Sequence, residues 1–382
     1  MVSYIKTENQ RRACGFTEMK MKKRIIALII AAASVFSLLG GCASGRSPLT
    51  FNNAFHGGGD TGSRDADPKV GYEETLVYDV FANASDYQYK KDSTLTDDII
   101  KYEITGSYTV TLKVLSDLDE ETRTKFTTDI TKPDGAAVYS LKTELKLTAK
   151  YSGKAEFTHD DKITSETYFY PFTESFMPLY SKTDSEYVNV SAGNGSAALS
   201  VIKSFSEIIY RSSSYTVNSR AIQYPSDGEA RDLAETELKT SEHKYSSKTV
   251  IDNAQLFFAL RNVKVDVDGT YTLPVVSYAY GDPTDLAVKN LQEFDDDAAF
   301  SYKGTDYSGK VKVKELAYYV NSQNTTGSRQ FVYIQKAAVK DGDNTVVENR
   351  ALPVKMVFPM IAYGSFSRLG SLVYKLTSVT AA

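Results

Sequence analysis

The sequence predicts a mainly β protein, with a large curved antiparallel sheet or open barrel and one or two short helices. Two observations favour this fold class. Apolar and polar residues alternate repeatedly along the chain, with the period of two expected of strands that have one buried face. The composition agrees, because the 382 residues include 27 Tyr and 18 Phe but no Trp. Tyrosine, together with Thr and Val, is typical of extended sheets.

The alternation is clearest in three segments. Residues 108–114 and 144–151 alternate apolar and polar side chains, and lysines flank Val311 and Val313. We expect these segments to be half-buried antiparallel strands. Further strands are predicted at Glu73–Phe81, Ile163–Tyr170, Glu186–Val190, Tyr215–Tyr224, Thr270–Tyr280, Arg329–Ala337, Leu352–Phe358 and Leu372–Thr377.

Two segments depart from the strand pattern. Asp252, with Gln255 three positions later, is typical of a capping box, and apolar residues follow at helical spacing from Leu256. A short helix is predicted there. The apolar residues of Ala197–Tyr210 fit one face of a helix, but a buried strand is an open alternative.

The strongest functional signal lies near the start of the chain. Lysines and an arginine follow Met19, an apolar stretch runs from Ile25 to Leu39, and Leu39-Gly40-Gly41-Cys42 comes next. This layout is typical of a bacterial lipoprotein signal peptide. The apolar stretch is shorter than the roughly 20 residues that a spanning helix needs.

The signal divides the chain into four parts. Residues 1–18 are interpreted as a mis-assigned start, 19–41 as the signal peptide, 42–70 as a flexible linker and 71–382 as a β-rich extracytoplasmic domain. Leu39, Gly40 and Gly41 would be recognised by the signal peptidase, and Cys42 would carry the lipid. Two acyl chains give lasting membrane attachment where a single chain is marginal. The predicted location is therefore extracytoplasmic, anchored to the cell membrane.

Composition narrows the function classes. The formal net charge is −4, and many basic residues precede Cys42, so the rest of the chain is more acidic. An acidic surface disfavours nucleic acid as a partner. The only cysteines are Cys14 and Cys42. Disulfides, thiol nucleophiles and cysteine metal sites are therefore not expected in the domain.

The order of segments in the domain resembles envelope proteins of the LolA/LolB type. The resemblance rests on a strand leading into Phe176-Met177-Pro178-Leu179-Tyr180-Ser181, then a short helix with Asp252 and Arg261, a Gly269 turn and Tyr271-Thr272-Leu273-Pro274-Val275. It implies a strongly curved, unclosed antiparallel sheet around helices or a hydrophobic ligand. This chain departs from that pattern in having more strands and the additional Ala197–Tyr210 segment.

Signatures of catalysis are scarce. His159 and His243 are interpreted as solvent-exposed turn residues, without the further ligands that a metal site needs. Asp295-Asp296-Asp297 and the acidic residues around Asp119 are interpreted as surface turns rather than calcium loops. Nucleophile-elbow and phosphate-loop motifs are absent from the sequence. We therefore predict no enzyme activity, no cofactor and no metal.

Aromatic residues provide the remaining candidates for a ligand site. Tyrosine combines an apolar body with a polar tip, which suits a wall against lipid tails, a sugar or a partner protein. A β core that uses Tyr in place of Trp is the simpler interpretation of any single residue. The candidate ligand contacts are Tyr168, Phe169, Tyr170, Phe172, Phe176 and Tyr180.

Three functions follow from these observations. In the first, the anchored domain binds a lipid or another apolar or amphipathic ligand in its curved sheet. In the second, it has no small-molecule site and recognises another envelope protein or a polysaccharide. The third is a hydrolase with two carboxylates that are distant in sequence.

Overall fold

The computed structural model describes residues 70–83, 101–132, 134–152, 156–172, 175–193, 196–244, 250–263, 266–276, 283–320, 329–361 and 368–381. The predicted mis-assigned start, signal peptide and lipid-attachment site at Cys42 lie outside these residues. So does the predicted linker up to residue 69. Predictions about anchoring therefore stay predictions.

Most of the described chain is extended, which confirms the predicted fold class. The strands are β1 (Glu73–Asn83), β2 (Lys101–Leu115), β3 (Val138–Ser152), β4 (Phe157–Phe172), β5 (Ser175–Gly193), β6 (Ser196–Tyr210), β7 (Ser214–Pro225), β8 (Lys239–Lys244), β9 (Ile251–Asp252), β10 (Thr270–Val276), β11 (Thr284–Tyr302), β12 (Thr305–Val320), β13 (Gln330–Gln335), β14 (Val339–Asp341), β15 (Asn344–Val347), β16 (Pro353–Ile361) and β17 (Arg368–Ala381).

One large curved sheet dominates the described residues. Its order is β8-β7-β6-β5-β4-β3-β2-β1-β17-β16-β13-β12-β11-β10-β9, and β14 pairs separately with β15. Neighbouring strands are antiparallel except for β9 and β10. A short parallel contact also joins the end of β11 to β17, at Ser301 opposite Ser378. This contact closes the five strands β11, β12, β13, β16 and β17 into a ring.

Two short α-helices complete the described fold. Helix α1 (Glu120–Lys125) begins at Asp119, whose side chain accepts a hydrogen bond from the Thr122 amide. Helix α2 (Leu256–Asn262) follows a 3₁₀ turn in which Asp252 and Gln255 form a reciprocal capping box. The predicted box at these two residues is confirmed.

Other local predictions were resolved or overturned. Residues 197–210 belong to strand β6, which resolves the two interpretations of that segment. The surface-turn interpretation of Asp295-Asp296-Asp297 was wrong, because the three residues lie within β11. There, Asp295 faces Lys312 and Asp297 faces Lys310 across the β11–β12 pair. Opposite charges on adjacent strands stabilise such a pair, so the acidic run is compatible with a strand.

The largest buried cluster lies on one face of the curved sheet, which we call the inner face. Helix α2 packs there, with Leu256, Phe258 and Leu260 at most 3% exposed. Two charged side chains also hold the helix. Arg261 makes two hydrogen bonds to Glu74 of β1, at 2.6 and 3.2 Å. Lys314 of β12 donates to the Val263 carbonyl, one residue after the helix, at 2.7 Å.

Candidate functional site

The predicted aromatic ligand contacts are divided between the two faces of the sheet. Phe169 and Phe176 lie on the inner face, with their ring centroids 5.3 and 4.9 Å from that of Phe258. On the opposite face, Tyr168, Tyr170 and Tyr180 pack with Phe126, which stacks on Tyr180 at 4.8 Å. The Phe172 side chain lies outside the described residues. All five described side chains are buried against protein.

The apolar side chains of the inner face are closely packed beside α2. Beside α2, the described residues leave a cavity of about 20 Å³, lined by Tyr78, Tyr108, Phe257, Phe258, Arg261 and Met356 among others. That volume holds about one water molecule. With the side chains in these conformations, the cavity is therefore too small for a lipid tail.

Another part of the inner face carries hydroxyl groups in place of large apolar side chains. One residue from each of five neighbouring strands, β3 to β7, lies directly opposite the next. Strand spacing is about 4.8 Å, so the line extends for about 19 Å. We call it the hydroxyl row; its members are Thr143, Ser165, Thr183, Ser206 and Ser219.

The hydroxyl row retains access to solvent. Ser206 is 3% exposed, whereas Ser165, Thr183 and Ser219 are half-buried. The Thr143 and Ser165 hydroxyl oxygens are 2.6 Å apart, which orients both groups. A hydroxyl group both donates and accepts hydrogen bonds, so such a row suits an uncharged ligand that does the same.

Further hydroxyl pairs flank the row. On one side, the Thr167 hydroxyl donates to Ser181 at 3.3 Å. On the other side, the hydroxyl oxygens of Ser185 and Ser204 are 2.6 Å apart. These pairs widen the polar area on β4, β5 and β6.

An apolar strip lies next to the hydroxyl row on the same face. It consists of Ile163, Tyr187, Ile202 and Ala221, which pack together on β4 to β7. Tyr187 and Ile202 are buried, whereas Ile163 and Ala221 are half-buried. This part of the inner face is therefore amphipathic.

The segment before α2 is attached to the edge of the polar area. Asp252 accepts hydrogen bonds from Tyr210 at 2.5 Å and from Ser181 at 3.1 Å. Burial raises the pKa of the Asp252 carboxyl, and the hydrogen bonds from Tyr210 and Ser181 oppose that shift. These contacts fix β9 and the start of α2 against β5 and β6.

Both histidines were wrongly interpreted as turn residues, because each lies in a strand. His159, in β4, has a side chain only 16% exposed, and its Nδ1 is 2.7 Å from the Asp161 carboxylate. The hydrogen bond to Asp161 raises the pKa of His159, against the effect of burial. Burial raises the pKa of Asp161. His243, in β8, stacks on Tyr215 with 5.3 Å between the ring centroids.

Two other kinds of feature are absent from the described ranges. In these ranges, no three His, Cys, Asp or Glu side chains are arranged to hold a metal ion. Within the same ranges, every helix is too short or too polar to cross a membrane.

Comparisons with known proteins leave the family open. No family model matches the chain, and no curated protein matches it. One similar solved structure is a "beta-barrel-like protein of domain of unknown function DUF1849" from Brucella abortus. It is 8% identical, covers 83% of this chain and 100% of its own, and has a TM-score of 0.41. A TM-score of 0.41 does not establish a shared fold. The fold class therefore rests on the strands described above.

The hydroxyl row was not predicted from the sequence. Its members lie on five separate strands, and serine and threonine are common in the whole chain. Only the pairing register brings them into one line, and a shift of one residue in any strand would turn that strand's member to the other face. Serine and threonine at alternate positions of β4, β5 and β6 are the one sequence signal that could have indicated a polar strip on one face of the sheet.

Proposed function

We propose that this chain is a lipid-anchored envelope protein that binds an amphipathic ligand on the inner face of β3 to β7. One observation supports this most strongly: the hydroxyl row lies beside the apolar strip, and both retain partly exposed members. Polar groups of the ligand hydrogen-bond to the row, while its apolar part contacts the strip. The proposed activity is ligand binding, since the hydroxyl row and the apolar strip supply polar and apolar contacts side by side.

The anchoring part of the proposal is supported by the sequence alone. Leu39-Gly40-Gly41-Cys42 follows a basic head and an apolar stretch of the length found in secretion signals. Acylation of Cys42 places the domain outside the cytoplasm, next to a membrane that supplies amphipathic molecules. Lipids or glycolipids of that membrane are therefore the first ligands to consider.

Metabolic labelling with an alkyne fatty acid tests the anchor. We expect the wild-type chain and Cys14→Ser to become labelled and Cys42→Ser to remain unlabelled. The two variants form a matched pair, because Cys14 and Cys42 are the only cysteines of the chain. Labelling that persists in Cys42→Ser, or an unlabelled wild-type chain that stays in the cytoplasm, would contradict the anchor.

Native mass spectrometry of the full chain, extracted from envelopes with mild detergent, tests the ligand. We expect an additional bound mass in the wild-type protein and its loss in Thr183→Trp, which fills the middle of the hydroxyl row. Asp184→Trp is the control, because its neighbouring position on β5 is exposed on the opposite face. Ligand-free wild-type protein, or equal ligand occupancy in both variants, would contradict the site. Circular dichroism checks that each variant is folded.

A further inference from the structure

A polar groove lies at the end of β7, where the chain turns away from the sheet. Its volume is about 550 Å³, and it is lined by Gln223, Tyr224, Glu229, Arg231 and Glu235 together with backbone around Gly228. Small-molecule sites are commonly clefts of about 300–1,000 Å³. The groove is therefore large enough for a small ligand.

Local hydrogen bonds hold the backbone that borders this groove. The Gly228 amide donates to the Pro225 carbonyl at 3.0 Å, and the Ser226 amide donates to Leu199 at 3.1 Å. A 3₁₀ turn at Leu233–Glu235 follows, begun by the Asp232 side chain, which accepts from the Ala234 amide. The backbone after β7 is thus held against the sheet.

The charges in the groove favour one class of ligand. Two carboxylates, Glu229 and Glu235, lie with one guanidinium, Arg231, and the amide of Gln223. Among these lining residues, one positive charge beside two negative charges disfavours binding of a polyanion. Carboxylate, guanidinium and amide groups offer paired acceptors and donors in fixed planes, which suits the neighbouring hydroxyl groups of a sugar.

The side chain of Gln223 is already positioned for such a contact. Its Nε2 atom donates to the Ser200 hydroxyl at 2.6 Å, which fixes the amide plane. Its neighbour Tyr224 borders the groove and is 6% exposed. The Lys203 ammonium lies 5.9 Å from the centroid of that ring.

One residue of the groove, Gln223, lies on the same face of β7 as the hydroxyl row, and Ala221 of the apolar strip lies between Gln223 and Ser219. Gln223 faces Ile202 on β6, and Ser219 faces Ser206, so Gln223 and Ser219 point to the same side of β7. Gln223 and Ser219 are four positions apart along the strand, a distance of about 13 Å. A linear ligand that spans this distance can therefore contact the groove and the end of the hydroxyl row together.

We infer that the groove and the hydroxyl row form one extended site for a neutral oligosaccharide. The inference depends on the proposed function, because it specifies the polar part of the amphipathic ligand. The groove binds one end of the sugar chain through Arg231 and Gln223, and the row receives the following hydroxyl groups. The same sugar chemistry occurs in a free polysaccharide and in the headgroup of a glycolipid.

Calorimetric titration of the full chain with neutral tetrasaccharides tests this inference. The probes are chitotetraose, cellotetraose and maltotetraose, and the detergent has no sugar headgroup. We expect the wild-type chain to bind at least one probe, and Arg231→Ala to bind it about tenfold more weakly. Thr183→Val, which removes one hydroxyl of the row, weakens binding several-fold. Asp227→Ala, an exposed change in the same turn, leaves the affinity within twofold.

A second titration distinguishes the two sources of the sugar. Vesicles of neutral phosphatidylcholine carrying a glycolipid with the bound tetrasaccharide as headgroup are compared with the free sugar. Tighter binding to the vesicles supports a glycolipid headgroup, and equal or weaker binding supports a polysaccharide.

Failure of this inference can be told apart from failure of the proposed function. Wild-type protein that binds none of the tetrasaccharides but carries an envelope ligand in native mass spectrometry overturns the oligosaccharide inference alone. Unchanged affinity in Arg231→Ala also overturns it. Absence of both sugar binding and an envelope ligand overturns the two proposals together.

Discussion

The buried ion pair between Glu74 and Arg261 offers the sharpest test of how α2 is held inside the sheet. The Glu74 and Arg261 side chains are 1% and 3% exposed, and their shortest N to O distance is 2.6 Å. Arg261 also donates to the Arg350 carbonyl at 3.1 Å. Glu74→Gln removes the negative charge that lies against the buried guanidinium.

The expected cost is large because both side chains are buried. Removing one partner of a buried pair typically destabilises a protein by about 3–5 kcal/mol, since the remaining charge is uncompensated. The neighbouring Glu73 provides the matched control. It pairs with Lys113 at 2.9 Å, but both side chains are 45% exposed. An exposed pair of this kind contributes about 0–1 kcal/mol, so Glu73→Gln should be nearly neutral.

Urea unfolding, followed by tyrosine fluorescence because the chain has no Trp, measures both variants. We expect Glu74→Gln to lose about 3–5 kcal/mol of unfolding free energy and Glu73→Gln less than about 1 kcal/mol. The double variant Glu74→Leu with Arg261→Met should recover part of the loss, because no charge remains buried. Equal losses for Glu74→Gln and Glu73→Gln would refute the role assigned to the pair.

Three further predictions concern the core and two titrating groups. Phe258→Ala should cost about 3–5 kcal/mol in urea unfolding, because the buried ring packs against both Phe169 and Phe176; a loss below about 1 kcal/mol would contradict this packing. Burial lowers the pKa of Lys314 to about 8, so the folded state binds fewer protons than the unfolded state above that pH. The unfolding free energy of the wild type, measured relative to Lys314→Met, should therefore rise between about pH 8 and 10. A difference between the two proteins that does not change with pH would refute the lowered pKa. The hydrogen bond to Asp161 raises the pKa of His159. The wild type should therefore have a larger unfolding free energy than His159→Asn below about pH 6.5. This difference should disappear as the pH rises through the folded-state pKa of His159. An advantage that grows towards pH 9 would contradict the hydrogen bond.

The sequence was most informative where one local rule determines the structure. Strands β2 and β3 were predicted because one face is apolar and the other is polar. The capping box at Asp252 was predicted because both of its hydrogen bonds lie within four residues. In β6, Leu199, Ile202, Phe205 and Ile209 also fit a helical face, so the pattern alone did not separate the two structures.

Features that depend on pairing between distant segments were not predictable in the same way. Asp295 and Asp297 resemble a surface turn until their partners Lys312 and Lys310 are placed opposite them. The hydroxyl row requires the register of five strands. Alternation along the predicted strand Ile163–Tyr170 already places Tyr168 and Phe169 on opposite faces, but only the packing of distant segments shows that the two residues join different buried clusters.

Protection of one introduced cysteine tests the proposed ligand site most directly. Thr183→Cys places a thiol in the middle of the hydroxyl row, and Asp184→Cys places one on the opposite face of the same strand. We predict that maleimide labels Thr183→Cys slowly in protein extracted with its envelope ligand and rapidly after the ligand is removed, while Asp184→Cys reacts at one rate throughout. Equal labelling of Thr183→Cys before and after ligand removal would contradict binding at the inner face of β3 to β7.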